Sequence, residues 1–160
     1  MEMASRVLVM LGLSTLVLCG NPSVDPFWIE GKVYCDTCQC GFETPASTYI
    51  PGARVRVECK DWDTSRITFS QDAVTDGSGR WNMKVEQDHG DEQCSAILLT
   101  SSSPDCATAD PARSRASLVL TRDNGVTSNR NAANAMGFVR DQRLPECEAV
   151  LAMYPPLDSD

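Results

Sequence analysis

The chain has 160 residues, 22 of them acidic and 14 basic, which gives a formal net charge of −8. This charge repels nucleic acid and anionic membranes, so we expect the chain to bind neither. The length suits one domain of ordinary size with one hydrophobic core.

The N-terminus has the pattern of a secretory signal. Arg6 precedes an uncharged apolar run, Val7–Cys19. This run is too short for a bilayer core, which needs roughly 20 apolar residues. We therefore predict a signal peptide over residues 1–20, with cleavage somewhere in 19–24, and an extracellular domain over 21–160.

Short alternating segments predict β-strands along the rest of the chain. In the first, Ile29, Gly31, Val33 and Cys35 share one face, whereas Glu30, Lys32 and Tyr34 share the other. Ala53 to Lys60 alternates small or apolar side chains with charged ones, which turns Cys59 toward the core. A strong turn signal over Thr75 to Gly79 precedes the alternating segment 81–86, and this combination predicts a hairpin.

The C-terminal half contains shorter elements. The apolar runs 96–99 and 118–120 predict buried strands, and the polar, Asn-rich segment 123–134 predicts a surface loop. Residues 146–153 predict a turn or two of helix that Pro155-Pro156 would end. Several short strands without long helical periods predict an all-β sandwich or small barrel.

Seven cysteines follow the predicted signal, a density typical of a disulfide framework in a secreted chain. An odd number leaves one thiol over, and six cysteines can pair in fifteen ways that their spacing does not distinguish. They are Cys35, Cys38, Cys40, Cys59, Cys94, Cys106 and Cys147.

Metal and redox chemistry are the alternatives for the cluster Cys35-X-X-Cys38-X-Cys40. A structural zinc site normally draws on a second ligand pair, and a thioredoxin-like redox pair needs a βαβ pattern. The sequence offers neither. A calcium site using Asp72, Asp76 and Ser78 lacks EF-hand spacing, so we expect no metal and no cofactor.

Catalysis has few candidate residues. His89 is the single histidine and lies in the polar run 88–92, which predicts an exposed turn residue, and no nucleophile elbow accompanies it. Four aromatic residues could form a binding surface or belong to the core. Strand period places Trp81 in the core, whereas Trp62, between two aspartates, is the better candidate for exposure. The other two are Phe27 and Trp28.

Residues 30–38, Glu-Gly-Lys-Val-Tyr-Cys-Asp-Thr-Cys, closely resemble the signature of the pollen Ole e I-like family. The likeness extends over essentially the whole chain after the signal. It continues through residues 49–53, 55–60, 75–76, 118–122, 136–138 and 144–147, and through Cys94 and Cys106.

The resemblance implies a transthyretin-like or prealbumin-like β fold and a secreted plant protein, since many members are pollen proteins and several are allergens. A role in pollen hydration or tube growth is commonly proposed for them. The family's bonding pattern implies the bridges Cys35–Cys106, Cys38–Cys147 and Cys59–Cys94. It leaves Cys40 unpaired, at a position where the family pattern has no cysteine.

Together these observations predict a secreted, non-enzymatic binding or structural protein of pollen or the cell-wall matrix, with allergenicity as in several members. Its partner would be an extracellular protein or a wall polysaccharide, and Cys40 could link a homodimer. The alternative is a secreted inhibitor or enzyme that acts on wall components through a surface loop such as 123–134.

Overall fold

A computed structural model describes residues 25–125 and 127–154. The predicted signal peptide and Pro155-Pro156 lie outside the described residues. In order along the chain, the described elements are β1 (Phe27–Asp36), β2 (Thr48–Tyr49), β3 (Arg54–Asp61), β4 (Ile67–Val74), β5 (Arg80–Val85), β6 (Glu92–Thr100), β7 (Thr108–Ala109), β8 (Arg115–Leu118), β9 (Arg130–Ala132), β10 (Met136–Val139) and α1 (Cys147–Leu151).

The strands form two sheets, so the prediction of an all-β fold is confirmed. One sheet is antiparallel throughout, in the order β4-β3-β6-β8. The other is built on β1, whose first half pairs with β5 and β9 and whose second half pairs with β2 and β10, while β7 adds beyond β10. The ten residues of β1 thus provide partners for four strands.

The inward faces of both sheets share one hydrophobic core. Val55, Val57 and Cys59 enter it from β3, as the alternating pattern predicted. Trp81 enters from β5 with 1% of its surface exposed, and its ring lies over Gly31 of β1. Strand period therefore gave the correct inward residues of both strands.

The predicted hairpin between the strands on either side of the Thr75–Gly79 turn is wrong. The turn itself is present, because Asp76 Oδ1 accepts hydrogen bonds from the backbone N–H groups of Ser78 and Arg80. However, β4 before the turn belongs to one sheet and β5 after it to the other. A local turn signal does not specify whether the next strand returns beside its predecessor or crosses to the opposite sheet.

Two further predictions need correction. The strand expected over 118–120 is instead β8, which ends at Leu118. Leu118 and Leu120 are still buried, but Val119 points to solvent. The predicted loop 123–134 contains β9, which runs parallel to β1, because main-chain pairing with β1 does not require apolar side chains.

Tyr34 was predicted to face outward, but it is buried. Its ring lies over Gly137 of β10, where a Cβ would come within 2.8 Å of Tyr34 Cζ. Burial raises the pKa of the Tyr34 hydroxyl to about 12. The second half of β1 is therefore covered on both faces, and alternation cannot reveal which side is solvent.

Three disulfides connect the described chain. Cys59 and Cys94 lie directly opposite each other on β3 and β6, with a Cα–Cα distance of 4.0 Å. Cys38 is bonded to Cys147, which begins α1, so the helix is held at the end of β1. The third disulfide joins Cys35 to Cys106. These are the pairs that the family resemblance implies, and Cys40 keeps a free thiol.

Candidate functional site

A groove opens at the end of the four-stranded sheet, with a volume of about 340 Å³. We call it the Trp62 groove. Trp62 and Val119 expose most of their side chains there, and the segment 118–121 forms one wall. The polar side chains that line the groove are His89, Glu92, Gln93, Ser117 and Thr121.

Trp62 is presented by the tight turn between β3 and β4. Asp61 Oδ1 accepts hydrogen bonds from the backbone N–H of Thr64 at 2.8 Å and from its hydroxyl at 2.7 Å. These hydrogen bonds lower the pKa of the Asp61 carboxyl. Because the turn is closed by its own polar groups, the Trp62 indole stays outside and is 64% exposed, as its flanking aspartates indicated.

His89 is buried, so the prediction of an exposed turn histidine is wrong. Only 6% of the residue is exposed, and Nδ1 lies 2.8 Å from Glu92 Oε2. The same carboxylate accepts a hydrogen bond from Thr68 Oγ1, and the ring packs beside Phe69 at 5.1 Å between centroids. The backbone N–H of His89 donates to Leu120 O, which draws the turn beneath the segment 118–121. No local sequence pattern signals this long-range contact.

The histidine does not form a recognisable catalytic centre. In a serine triad the ring nitrogen opposite the carboxylate accepts the proton of the nucleophile. Here that atom, His89 Nε2, is buried without a hydrogen-bond partner among the described residues. Among the described residues, no nucleophile is therefore hydrogen-bonded to His89.

Four potential metal ligands also meet beneath the groove. One donor atom each of Cys59, His89, Glu92 and Cys94 lies within 4.8 Å of the others. The two sulfur atoms are bonded to each other, however, so only His89 and Glu92 remain as donors. Zinc sites in proteins use at least three side chains, so the cluster as folded does not meet that requirement.

The sequence candidates for calcium are engaged elsewhere. Asp72 forms salt bridges with Arg54 and Arg56 across β3 and β4, and the Arg56 hydrogen bond lowers the pKa of its carboxyl. Asp76 closes the turn before β5, and the Ser78 hydroxyl lowers the pKa of that carboxyl. Both carboxylates are thus satisfied by the protein itself.

Cys40 lies in the loop after β1 and is half-buried. Its sulfur is 3.4 Å from Phe42 O and 3.6 Å from Asp36 Oδ1. Burial raises the pKa of the Cys40 thiol, so the thiol remains protonated and weakly nucleophilic at neutral pH.

Comparison with known proteins identifies the family. A family model described as "Pollen protein Ole e 1 like" matches residues 25–155. The chain belongs to this family. No helix in the described part of this family member is long and apolar enough to span a membrane.

Its relatives include several pollen proteins. The chain is 50% identical over 129 residues to Protein DOWNSTREAM OF FLC of Arabidopsis thaliana, which covers 81% of this chain and 79% of that protein. It is 37% identical to Pollen-specific protein C13 of Zea mays, with coverage of 95% and 89%. It is 40% identical to Major pollen allergen Lig v 1 of Ligustrum vulgare, with coverage of 85% and 96%. None of these three names denotes an enzyme.

A solved structure of the family has the same fold. The crystal structure of the major plantain pollen allergen Pla l 1 matches with a TM-score of 0.69 and 28% sequence identity. The match covers 76% of this chain and 99% of the allergen chain.

Proposed function

We propose that this Ole e 1-like protein is a secreted, non-enzymatic component of pollen or the cell-wall matrix that binds a neutral wall polysaccharide in the Trp62 groove. The observation that carries the proposal is the indole of Trp62, 64% exposed beside a groove of about 340 Å³. The signal pattern and the pollen relatives support an extracellular location.

The groove has the chemistry that sugar rings require. A pyranose ring presents apolar C–H groups on its faces and hydroxyl groups around its edge, so it can stack on an indole while its edge forms hydrogen bonds. Gln93 and Ser117 supply donors and acceptors in the groove, and Leu118 and Val119 supply apolar contact. A volume of about 340 Å³ falls at the lower end of the range for ligand sites, which suits a short stretch of a polymer.

Charge favours a neutral ligand at this position. Asp61 and Asp63 flank Trp62 in the turn, and Glu92 lies in the groove. These carboxylates would repel the carboxylates of an acidic polymer. A neutral glycan carries no such penalty. Retention of the protein on wall polysaccharide would be consistent with a role in pollen hydration or tube growth.

The test compares polysaccharide binding by the wild type with two tryptophan variants. Neutral wall glycans such as galactan, arabinan and xyloglucan are titrated by calorimetry. We expect Trp62→Ala to weaken binding about tenfold or more, because roughly 1.4 kcal/mol corresponds to a factor of ten. Trp28→Ala is the matched control, since Trp28 is also exposed but lies in the other sheet.

Equal affinity of Trp62→Ala and the wild type would refute the groove as the binding site. Stoichiometric inhibition or turnover of wall hydrolases would instead support the alternative of an inhibitor or enzyme. The expected loop is more constrained than the sequence indicated, because the main chain of Arg130–Ala132 is paired with β1.

A further inference from the structure

The outer face of the β1 sheet carries a cluster of basic side chains around a second exposed tryptophan. We call it the basic face. Its tryptophan, Trp28, is 41% exposed, whereas the neighbouring Ile29 is fully buried. The face also carries Lys32, Arg80, Asn82, Lys84 and Arg130, on three adjacent strands in the order β5, β1, β9.

Strand register brings a cation to each side of the indole. Trp28 is paired directly with Lys84 of β5 and directly with Arg130 of β9. Neighbouring strands lie about 4.8 Å apart, and directly paired side chains project to the same face. An anionic group stacked near Trp28 would therefore come within reach of both cations.

The charge of this face is opposite to that of the whole chain. Four of the 14 basic residues lie on it, although the chain has 22 acidic residues and a net charge of −8. Lys84 forms a salt bridge with Glu86, with 2.9 Å between Nζ and Oε1. The Lys32 ammonium group lies over the ring of Tyr49 and forms a cation–π contact with it. Arg130 forms no salt bridge with any residue that the structure describes, so its guanidinium is available to a ligand.

A shallow cavity of about 270 Å³ connects Trp28, Glu30, Asn82 and Arg130. Glu30 and Asn82 are directly paired across β1 and β5. The Asn82 amide can both donate and accept hydrogen bonds, and the Glu30 carboxylate can accept them. The cavity thus combines a stacking surface, acceptors for hydroxyl groups and a guanidinium that pairs with no carboxylate in the described part of the chain.

We propose that the basic face binds an acidic polysaccharide, with a uronate sugar stacked on Trp28 and its carboxylate held by Arg130. Arginine suits this role because its planar guanidinium holds a carboxylate through two parallel hydrogen bonds. Hydroxyl groups of the same sugar would reach Glu30 and Asn82.

The neighbourhood of Trp28 favours a glycan over other anionic partners. Glu30 beside the ring can accept hydrogen bonds from the ring hydroxyl groups of a sugar, whereas a phosphate group of a nucleic acid or lipid offers it only like charge. A uronate polymer has one carboxylate per sugar and hydroxyl groups between, which matches a face with cations, an amide and a carboxylate. This site is separate from the Trp62 groove, whose charges have the opposite sign.

The test measures binding of de-esterified oligogalacturonate to the full mature protein at low salt, by calorimetry. We expect Arg130→Gln and Trp28→Ala each to weaken binding about tenfold or more. Arg143→Gln is the matched control for charge, because Arg143 is exposed but belongs to the segment before α1. Trp62→Ala is the control for the groove, and both controls should bind as the wild type does.

Two properties of the ligand provide independent readouts. The fully methyl-esterified oligomer lacks the carboxylate charge, so its affinity should be at least tenfold lower. Raising the salt from about 20 to 200 mM should weaken binding of the charged oligomer, because exposed charges are screened.

Several outcomes would overturn the proposal. Equal losses for Arg130→Gln and Arg143→Gln would show that only net charge matters. Equal affinity for the esterified and de-esterified oligomers would remove the carboxylate contact. Tighter binding of polyglutamate or of acidic lipid vesicles through Trp28 would assign the face to a protein or a membrane. Loss of oligogalacturonate binding in Trp62→Ala with retention in Trp28→Ala would place the acidic glycan in the Trp62 groove and would overturn the assignment to the basic face.

Discussion

The contact between Gly31 and Trp81 allows a sharp test of how the two halves of the core fit together. The two residues are directly paired on β1 and β5, and the Trp81 ring occupies the space above Gly31. A Cβ at position 31 would lie 2.7 Å from Trp81 Nε1 and 2.8 Å from Cε2 and Cζ2. Because Trp81 is buried, its ring has no free space into which it can move.

The expected effect of Gly31→Ala combines two opposing contributions. Alanine in a strand interior is favoured over glycine by roughly 0.5–1 kcal/mol, because the unfolded chain has less freedom to lose. Overpacking a core by one methyl group costs about 1–3 kcal/mol. We therefore expect a net loss of up to about 2.5 kcal/mol in the free energy of unfolding, with a central value of about 1 kcal/mol.

The assay is guanidinium unfolding with the disulfides intact, followed by tryptophan fluorescence and far-ultraviolet circular dichroism. Gly77→Ala is the matched control, because no atom lies within 4 Å of the position of its Cβ. The double variant Gly31→Ala/Trp81→Phe should recover part of the loss relative to the sum of the single variants, since contacting residues couple by about 0.5–3 kcal/mol.

A Gly31→Ala protein as stable as Gly77→Ala would refute this reasoning, because the added methyl group would then be accommodated without cost. The reasoning would also be refuted if the stability loss of the double variant equalled the sum of the losses in Gly31→Ala and Trp81→Phe. That result would show that the loss does not arise from the indole ring.

Three further predictions concern the Cys59–Cys94 disulfide, the loss of stability at acidic pH and the free thiol of Cys40. Replacing Cys59 and Cys94 together by alanine should cost about 4 kcal/mol in the chain-entropy model, and a loss below about 1 kcal/mol in guanidinium unfolding would contradict that model here. Arg56 lowers the pKa of Asp72, so this pair stabilises the fold above the unfolded pKa of about 3.9 and the contribution is lost as the pH falls through the lowered value. Asp72→Asn should therefore lower the melting temperature at pH 7 but have little effect at about pH 2, and an equal shift at both would exclude the ion pair as the cause. Iodoacetamide should modify Cys40 slowly at neutral pH and faster as the pH rises, because burial raises its pKa, whereas fast modification at neutral pH would indicate an exposed thiolate.

The fold could be predicted where one face of a strand is buried and the other is wet. Trp81 to Val85 in β5 has this environment, and its alternating pattern gave the correct core residues. The pattern of β3 also placed Val55, Val57 and Cys59 correctly, although Glu58 on the opposite face is buried too. The face of β1 that carries Tyr34 is not exposed to solvent, because Gly137 leaves space for β10 to cover the Tyr34 ring. The crossing of β4 to β5 was also unpredictable, because both sheets bury apolar faces and a turn is compatible with either.

In the candidate site, too, the sequence predicted some features correctly and not others. Exposure of Trp62 could be inferred from Asp61 and Asp63, because charged neighbours in a turn keep the segment in water. The burial of His89 could not, since it depends on a backbone hydrogen bond to Leu120, which lies 31 residues further along the chain.

The basic face around Trp28 could not be predicted from the sequence either. Lys84 and Arg130 are far apart in sequence, and no local pattern in the net acidic chain connects them. Pairing of β5 and β9 with opposite sides of β1 is what brings them to the indole.

The amino-acid sequence by itself determined the signal pattern, the acidic balance, the strand periods and the family signature, because each depends on composition or on residues close together in the chain. Tertiary structure alone decided which sheet each strand joins, the burial of His89, and the charge around each exposed tryptophan. These features depend on contacts between distant segments, and the free energy of such contacts comes from burial and pairing that only the assembled sheets provide.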